Sequence, residues 1–475
     1  MSDGPDLLRS PWISQFQGVM DFDTIRARTF IGATYLPSLA TLSPEQACKQ
    51  LNDAFERIYI AGPQHCEILQ RHFERARGFA MARYVNGASY LAGAYECLLV
   101  VGDESFWCLT GLAGNGKSQL MAALERLLPA VRTNALSPSH PSVRIKTIMR
   151  LKINAQTSDV DALRDLANPA FLVGRKQLSR MDLQQHLAQW LFLQGVVTLV
   201  IDELQFLTQS ATANTRVVQL LMLLGYLGLP VTYTCNYSLG HKLLARPQEE
   251  RQRLLNQPII LQPETNSRHW ISLVDEYAKV NPDLIALDGK RDGAELGRLT
   301  GGISRLLRLL VVEAFRVACR GGVKRLVRLE EIVIAYKSVA FSVQRADVEA
   351  MASLAVSSLL RRQRRDLVCP FGSSDTRLAL SSVTDAPVLG TREPTAAVRA
   401  MVESTLTPGA RATLKDLRQA THDAHVAQRP KATVTKLPMK KKITTDALYA
   451  GAKVLRDMTS KVKKPGPTAD GRKDD

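Results

Sequence analysis

Paired cysteines are missing from this sequence. Seven cysteines, Cys48, Cys66, Cys97, Cys108, Cys235, Cys319 and Cys369, are scattered over 475 residues, and none stands in a C-x-x-C pair. Scatter and an odd number argue against a zinc site or a disulfide frame and for a reducing compartment. Cys108 and Cys235 lie inside apolar runs, where small core residues are expected. No uninterrupted apolar segment reaches about 18 residues, so neither a membrane span nor a membrane partner is expected. Met1-Ser-Asp-Gly-Pro lacks the basic-then-apolar pattern of a signal peptide, which points to the cytoplasm. No internal repeat is found. Negative charge is in deficit: 62 Lys and Arg stand against 45 Asp and Glu, a net charge of +17. That excess favours contact with nucleic acid or another polyanion, the alternative being a basic tail that only aids solubility.

What is present centres on one stretch, Phe106-Trp-Cys-Leu-Thr-Gly-Leu-Ala-Gly-Asn-Gly-Lys-Ser118. The apolar run Phe106 to Leu109 reads as a buried strand, and Gln119 to Leu128 reads as a helix with apolar residues three and four apart. Between them, Gly111 to Ser118 matches G-x-x-x-x-G-K-[ST], and strand, glycine loop and helix in that order are the context of a P-loop. Gly111, Gly114 and Gly116 let backbone N–H groups turn toward an anion, and the helix N-terminus adds to their pull. Lys117 supplies a point charge for the β- and γ-phosphates, and Ser118 a hydroxyl for Mg²⁺. The candidate nucleotide-binding set is Gly111, Leu112, Ala113, Gly114, Asn115, Gly116, Lys117, Ser118 and Gln119. The competing reading is a chance glycine-rich turn.

A second apolar run, Val196 to Ile201, ends in Asp202-Glu203. A carboxylate at a strand end beside the P-loop strand can hold Mg²⁺, the role expected of Asp202. Glu203 can then polarise the attacking water as a general base. The alternative is an N-cap pair opening the next helix. Pro230 to Cys235 reads as another strand, with Asn236 at its end either facing the γ-phosphate or serving as a turn residue. Arg251 and Arg253 are candidates for an arginine that neutralises a neighbouring subunit's nucleotide, or are surface residues paired with Glu249 and Glu250. Gly301-Gly302 precedes a helix whose first turn carries Arg305, the preferred γ-phosphate contact, with Arg308 behind it. An amphipathic helix with arginines on its wet side would look the same.

The rest of the chain sets the frame. Prolines 5, 11, 37 and 44 interrupt any long helix before residue 45. Ser43-Pro44 reads as a helix start, Gly62-Pro63 as a break, and His65 to Arg83 as a basic helix carrying Arg71, Arg75, Arg77 and Arg83. Val143 to Ile153 alternates apolar and basic residues and reads as one strand with a wet face of Arg144, Lys146, Arg150 and Lys152. Arg175-Lys176 opens a further helix. Beyond about residue 372 the chain is rich in Ser, Thr, Pro and Lys, with basic clusters at Lys440 to Lys442 and Lys461 to Lys464, and reads as mostly disordered apart from one helical patch, Thr444 to Met458. The expected fold class is α/β. Its parts would be an N-terminal arm and helical segment (1–95), a nucleotide-binding α/β core (96–263), a small helical lid (264–345), and a largely disordered, partner-binding extension (346–475).

Together these residues resemble the AAA+ ATPases, and more narrowly the TnsC family, ATP-dependent regulators of cut-and-paste transposons. The stretch Leu199-Val-Ile-Asp-Glu-Leu-Gln-Phe-Leu207 resembles that family's VIDE-x-Q-x-L, with Gln205 the informative residue. TniB, MuB and IstB are related and shorter. The resemblance spans about residues 45 to 345. It implies an AAA+ P-loop core with Mg²⁺-dependent hydrolysis of ATP, Lys117, Ser118, Asp202 and Glu203 carrying over directly and Asn236, Arg251, Arg253 and Arg305 by position. It also implies homo-oligomeric rings or filaments on double-stranded DNA, at the bacterial nucleoid. Further implied partners are a target selector (TniQ/TnsD-like) and transposase subunits (TnsA/TnsB-like). Basic groups suited to a ring's interior are Arg150, Lys152, Arg175, Lys176 and Arg180. Two other readings fit the P-loop: a helicase loader or replication initiator, and a nucleotide-switch adaptor that does not hydrolyse.

Overall fold

The structure, a computed structural model, describes residues 10–16, 18, 20–96, 106–153, 159–167, 179–204, 213–265, 267–320, 326–354 and 357–372. All lie within residues 1–386, one of the two units into which the chain divides, the other being 387–475. Cys97, Arg175, Lys176, Gln205, the lysine clusters at 440–442 and 461–464 and the patch at 444–458 lie outside the described residues.

Helices come first: α1 (Pro11–Ser14), α2 (Phe22–Thr29), α3 (Pro44–Arg57), α4 (Pro63–Arg83) and α5 (Gly87–Glu96). The start of α3 follows from its sequence. Ser43 is the N-cap, its side chain accepts from the amide of Gln46, and Pro44 sits at the first turn, where its missing N–H costs nothing. The core then alternates strand and helix: β1 (Trp107–Gly111), α6 (Lys117–Leu127), β2 (Arg132–Asn134), β3 (Val143–Ile145), β4 (Ile148–Lys152), α7 (Asp159–Leu166), α8 (Arg180–Leu193), β5 (Thr198–Asp202), α9 (Ala213–Gly225), β6 (Val231–Asn236), α10 (Tyr237–Leu244), α11 (Gln248–Leu254) and β7 (Gln257–Leu261). Among the described residues, six further helices follow: α12 (Arg268–Lys279), α13 (Gly289–Thr300), α14 (Ser304–Arg320), α15 (Leu329–Lys337), α16 (Ser342–Ser353) and α17 (Ser358–Gln363).

Five strands form one parallel sheet in the order β4-β5-β6-β1-β7. Every residue of β1 and β5 is buried, as unbroken apolar strands require when helices cover both faces. Side chains alternate across the sheet. Cys108, Leu199, Ile201 and Tyr233 face a core shared with α7 to α11, while Trp107, Leu109, Val200 and Leu261 face one shared with α1, α2, α4 and α6. Cys108 and Cys235 are buried free thiols on adjacent strands, their sulfurs 3.5 Å apart. A third core joins α12 to α16 with α3, including Phe55 stacked on Tyr277. The helical segment before the P-loop is therefore divided: α3 belongs to the core of α12 to α16 and α4 to the sheet's.

The single strand expected over Val143 to Ile153 is two. β3 pairs antiparallel with β2, and β4 joins the main sheet beside β5. The break falls at Lys146-Thr147. There the Lys146 amide donates to Gln194 O, and Thr147 O accepts from the amides of Val197 and Thr198. The chain entering β5 thus takes the backbone groups that a continuous strand would need.

Candidate nucleotide-binding site

The P-loop runs from the end of β1 into α6, between β6 and β7. Gly111 is in close contact with β7: a Cβ there would lie 2.6 Å from Leu261 O. Gly114 has φ +82°, and a Cβ would lie 2.6 Å from Arg305 Nε, so the position is closed to a side chain on both counts. Asn115 is buried and donates to Leu261 O at 2.9 Å, pinning the loop to β7. Gly116 caps α6. Leu112 is buried, Ala113 exposed, and Gln119 donates from Nε2 to the backbone carbonyl of Glu56 on α3.

Lys117 is 7% exposed and folded back on its own loop. Its ammonium donates to the carbonyls of Gly111, at 2.9 Å, and Leu112, at 2.8 Å. Burial pulls its pKa down to about 8, against the opposing pull of the neighbouring anionic groups. A phosphate chain would exchange those two carbonyls for anionic oxygens.

Asp202 ends β5 and Glu203 follows it, but β5 does not lie beside the P-loop strand as expected: β6 separates it from β1. Ser118 Oγ lies 3.0 Å from Asp202 Oδ1 and 3.3 Å from Glu203 Oε1. Asp202 is fully buried. Burial alone would raise its pKa, but hydrogen bonds from Thr234 and Arg150, the Arg150 charge and the Ser118 hydroxyl together hold it below the usual carboxylate value. Glu203 has φ 62°, a left-handed conformation uncommon outside glycine. Its amide is held by Asp202 Oδ1 and Thr234 Oγ1, both at 3.1 Å. Strain of this kind persists where surrounding bonds over-determine the backbone, and it collects at functional sites.

The donors suit Mg²⁺. A hydroxyl and a carboxylate 3.0 Å apart are hard oxygen ligands, and Mg²⁺ is commonly held by one or two such groups together with phosphate and water. Among the described residues no cluster of three His, Cys, Asp or Glu offers an all-protein cage. Ser118 and Asp202 would hold the ion, whose positive charge would offset that of the phosphates.

Other candidate residues divide. Asn236 ends β6 level with Gly111 on β1, and its side chain makes no cap to α10. Arg305 opens α14 against the P-loop, its amide donating to Gly114 O at 3.2 Å beside the Ser304 hydroxyl at 3.3 Å. Arg308, one turn on, is committed elsewhere: it pairs with Glu56 at 2.8 Å. Arg251 and Arg253 are exposed on α11, and the neighbouring Glu250 pairs with Arg246. Lys152 is exposed at the end of β4. Arg180 opens α8, its side chain outside the described set. Arg150 departs from the wet face drawn for it. It is 17% exposed and its Nη2 donates to Asp202 Oδ2 at 2.5 Å, because β4 lies beside β5 and brings the arginine to the acid.

Sequence reasoning missed Thr234 and Glu56. Thr234 shares a strand face with Asn236, two residues on, so period-two alternation carried that signal. Glu56 meets Arg308 and Gln119 only through the packing of α3 against α14 and α6, and nothing local marks it.

Residues 101–253 match a family model described as an AAA domain. No curated protein matches the chain. Solved structures similar to it include the Aeropyrum pernix ORC1 protein in complex with DNA, at 20% identity over 60% of this chain and 67% of that one, with a TM-score of 0.35. Cdc6p from Pyrobaculum aerophilum is 15% identical over 65% and 86%, with a TM-score of 0.36. The Thermotoga maritima RuvB Holliday junction branch migration motor is 11% identical over 60% and 76%, with a TM-score of 0.29. With a five-stranded parallel sheet between helices and a P-loop leaving its β1 strand, the chain has the fold of an AAA+ P-loop NTPase.

Proposed function

We propose that this protein is a Mg²⁺-dependent ATPase that assembles on double-stranded DNA and licenses a target site for a transposase, in the manner of the TnsC family. The observation that carries the ATPase reading is the convergence of Lys117, Ser118, Asp202 and Glu203, with Ser118 Oγ within 3.3 Å of both acids. In this reading Lys117 and the loop amides bind the phosphates, Ser118 and Asp202 hold the metal, and Glu203 aligns the attacking water. Arg305 and Asn236 face the γ-phosphate, and Arg251 or Arg253 reaches a neighbouring subunit's nucleotide.

The transposition reading rests on the resemblance of residues 199–207 to the TnsC motif, and the DNA reading on the net charge of +17. Lys152, Arg175, Lys176 and Arg180 would contact phosphates without reading bases, giving sequence-neutral binding that weakens steeply with salt. A TniQ/TnsD-like selector and TnsA/TnsB-like transposase subunits are the corresponding partners at the nucleoid. The test is electron microscopy of the chain with duplex DNA and a non-hydrolysable ATP analogue. Rings or filaments that require both additions support the assembly, and particles that stay monomeric under all conditions refute it. Lys176→Ala should weaken duplex binding and lower its salt slope while ATP binding persists; unchanged affinity and slope remove Lys176 from the interface.

A further inference from the structure

Among the described residues, Arg150 is a charged side chain at the acid pair that the chemistry above does not use. Its Nη2 donates to Asp202 Oδ2 at 2.5 Å and to the Ser118 carbonyl at 3.1 Å, and its Nη1 lies 4.0 Å from Glu125 Oε2. Its Nε is buried without a hydrogen-bond partner. The carboxylate of Asp202 is surrounded. Oδ1 faces the hydroxyls of Ser118 and Thr234 and the Glu203 amide, while Oδ2 faces Arg150. Arg150 thus spans β4, β5 and the first turn of α6 at the point where a metal ion would need Asp202.

We propose that Arg150 is a positioning residue that balances the charge of Asp202 before the metal arrives and opposes the metal once it does, so that it sets how strongly nucleotide and Mg²⁺ depend on each other. This rests on the nucleotide-site reading above. Without a divalent ion, Asp202 and Glu203 set two negative charges beside an anionic phosphate chain, and like charges this close repel appreciably. Arg150 evens that balance and lets phosphates enter metal-free. When Mg²⁺ binds, the ion and the guanidinium compete for one carboxylate. Arg150 therefore strengthens metal-free nucleotide binding and weakens metal binding. By linkage, removing it must enlarge the coupling between the two ligands. A role confined to tying β4 to α6 would weaken both kinds of binding alike and leave that coupling unchanged.

The experiment titrates a fluorescent ADP analogue into the full chain, once in EDTA and once in saturating Mg²⁺, for wild type, Arg150→Met and Arg150→Lys. The readout is the ratio of the two dissociation constants, EDTA over Mg²⁺. The ratio should rise at least about tenfold in Arg150→Met and stay within about threefold of wild type in Arg150→Lys, which keeps the charge. Where methionine lowers the yield of folded protein, Arg150→Gln replaces it, since an amide can still reach the Ser118 carbonyl and the same ratio decides. An unchanged or smaller ratio in the neutral variants overturns the proposal. A wild-type chain that binds the analogue in neither buffer refutes the nucleotide site itself.

Discussion

Thr234 donates its hydroxyl to Asp202 Oδ1 at 2.6 Å and, through the same oxygen, lies 3.1 Å from the amide of Glu203. One threonine on β6, itself 1% exposed, therefore orients both acids of the neighbouring strand. Thr234→Val keeps the shape and removes both contacts. Metal-free nucleotide affinity should stay within about threefold, because the phosphate donors are untouched, while Mg²⁺-dependent turnover should fall by about ten- to a hundredfold. Loss of the buried hydrogen bonds should cost about 1–3 kcal/mol in urea unfolding. Unchanged turnover in a folded variant would show that the acids need no such support.

Lys117 makes nucleotide affinity depend on alkaline pH. Burial lowers its pKa from 10.5 to about 8, and phosphates bind only the ammonium form. Below pH 8 the charged form is full and affinity should be flat. Above it, affinity should decline by up to about tenfold per pH unit until the pKa of the complex is reached. Stability moves the other way: the unfolded chain holds this proton more tightly, so the cost of burying it is full below pH 8 and fades as pH rises toward 10.5. Lys117→Met should abolish measurable nucleotide binding and remove the residue's contribution to the stability slope, as calorimetric titration and urea unfolding across pH 7–10 would show.

His72 should shape the acid limb of stability. It is buried on α4, its Nδ1 donates to Ile68 O at 2.8 Å, its Nε2 has no hydrogen-bond partner, and its ring stands edge-on to Trp107. Burial pulls its pKa down to about 4. With the folded value below the unfolded 6.5, the unfolded chain binds the proton first. Stability contributed by the neutral ring is complete above pH 6.5 and is lost as pH falls toward 4, by at most about 1.4 kcal/mol per unit. Over that window the urea-unfolding stability of His72→Phe should fall with pH less steeply than that of the wild type, so that the gap between the two stability-versus-pH curves changes. Parallel curves would show that the ring titrates normally.

Much of the site was legible because its chemistry is local. The P-loop needs Gly, Lys and Ser at fixed spacing between a strand and a helix, and the acids need only a buried strand that ends in them. The parallel sheet followed from unbroken apolar runs in β1 and β5. What the sequence hid depends on contacts across distance. The alternation from Val143 to Ile153 marked an amphipathic face but not the handover at Thr147, where the chain entering β5 claims the backbone. Arg150 counted as a wet-face residue because nothing in its own strand reveals that β5 lies alongside. Glu56 joins Arg308 and Gln119 only once α3 packs against α14 and α6, some 250 residues away in sequence from the arginine it holds. Trans-acting Arg251 or Arg253 would meet their target only in an assembly.

Phosphate release by wild type and Glu203→Gln, measured alongside ATP affinity with Mg²⁺ and duplex DNA present, tests the central claim most directly. The four-residue site predicts DNA-dependent turnover in the wild type. In Glu203→Gln it predicts affinity within about threefold and turnover lower by about two to four orders of magnitude, the span of a lost general base, with the chain retained on DNA. Turnover that survives Glu203→Gln, or a wild type that neither binds nor cleaves ATP, would contradict it.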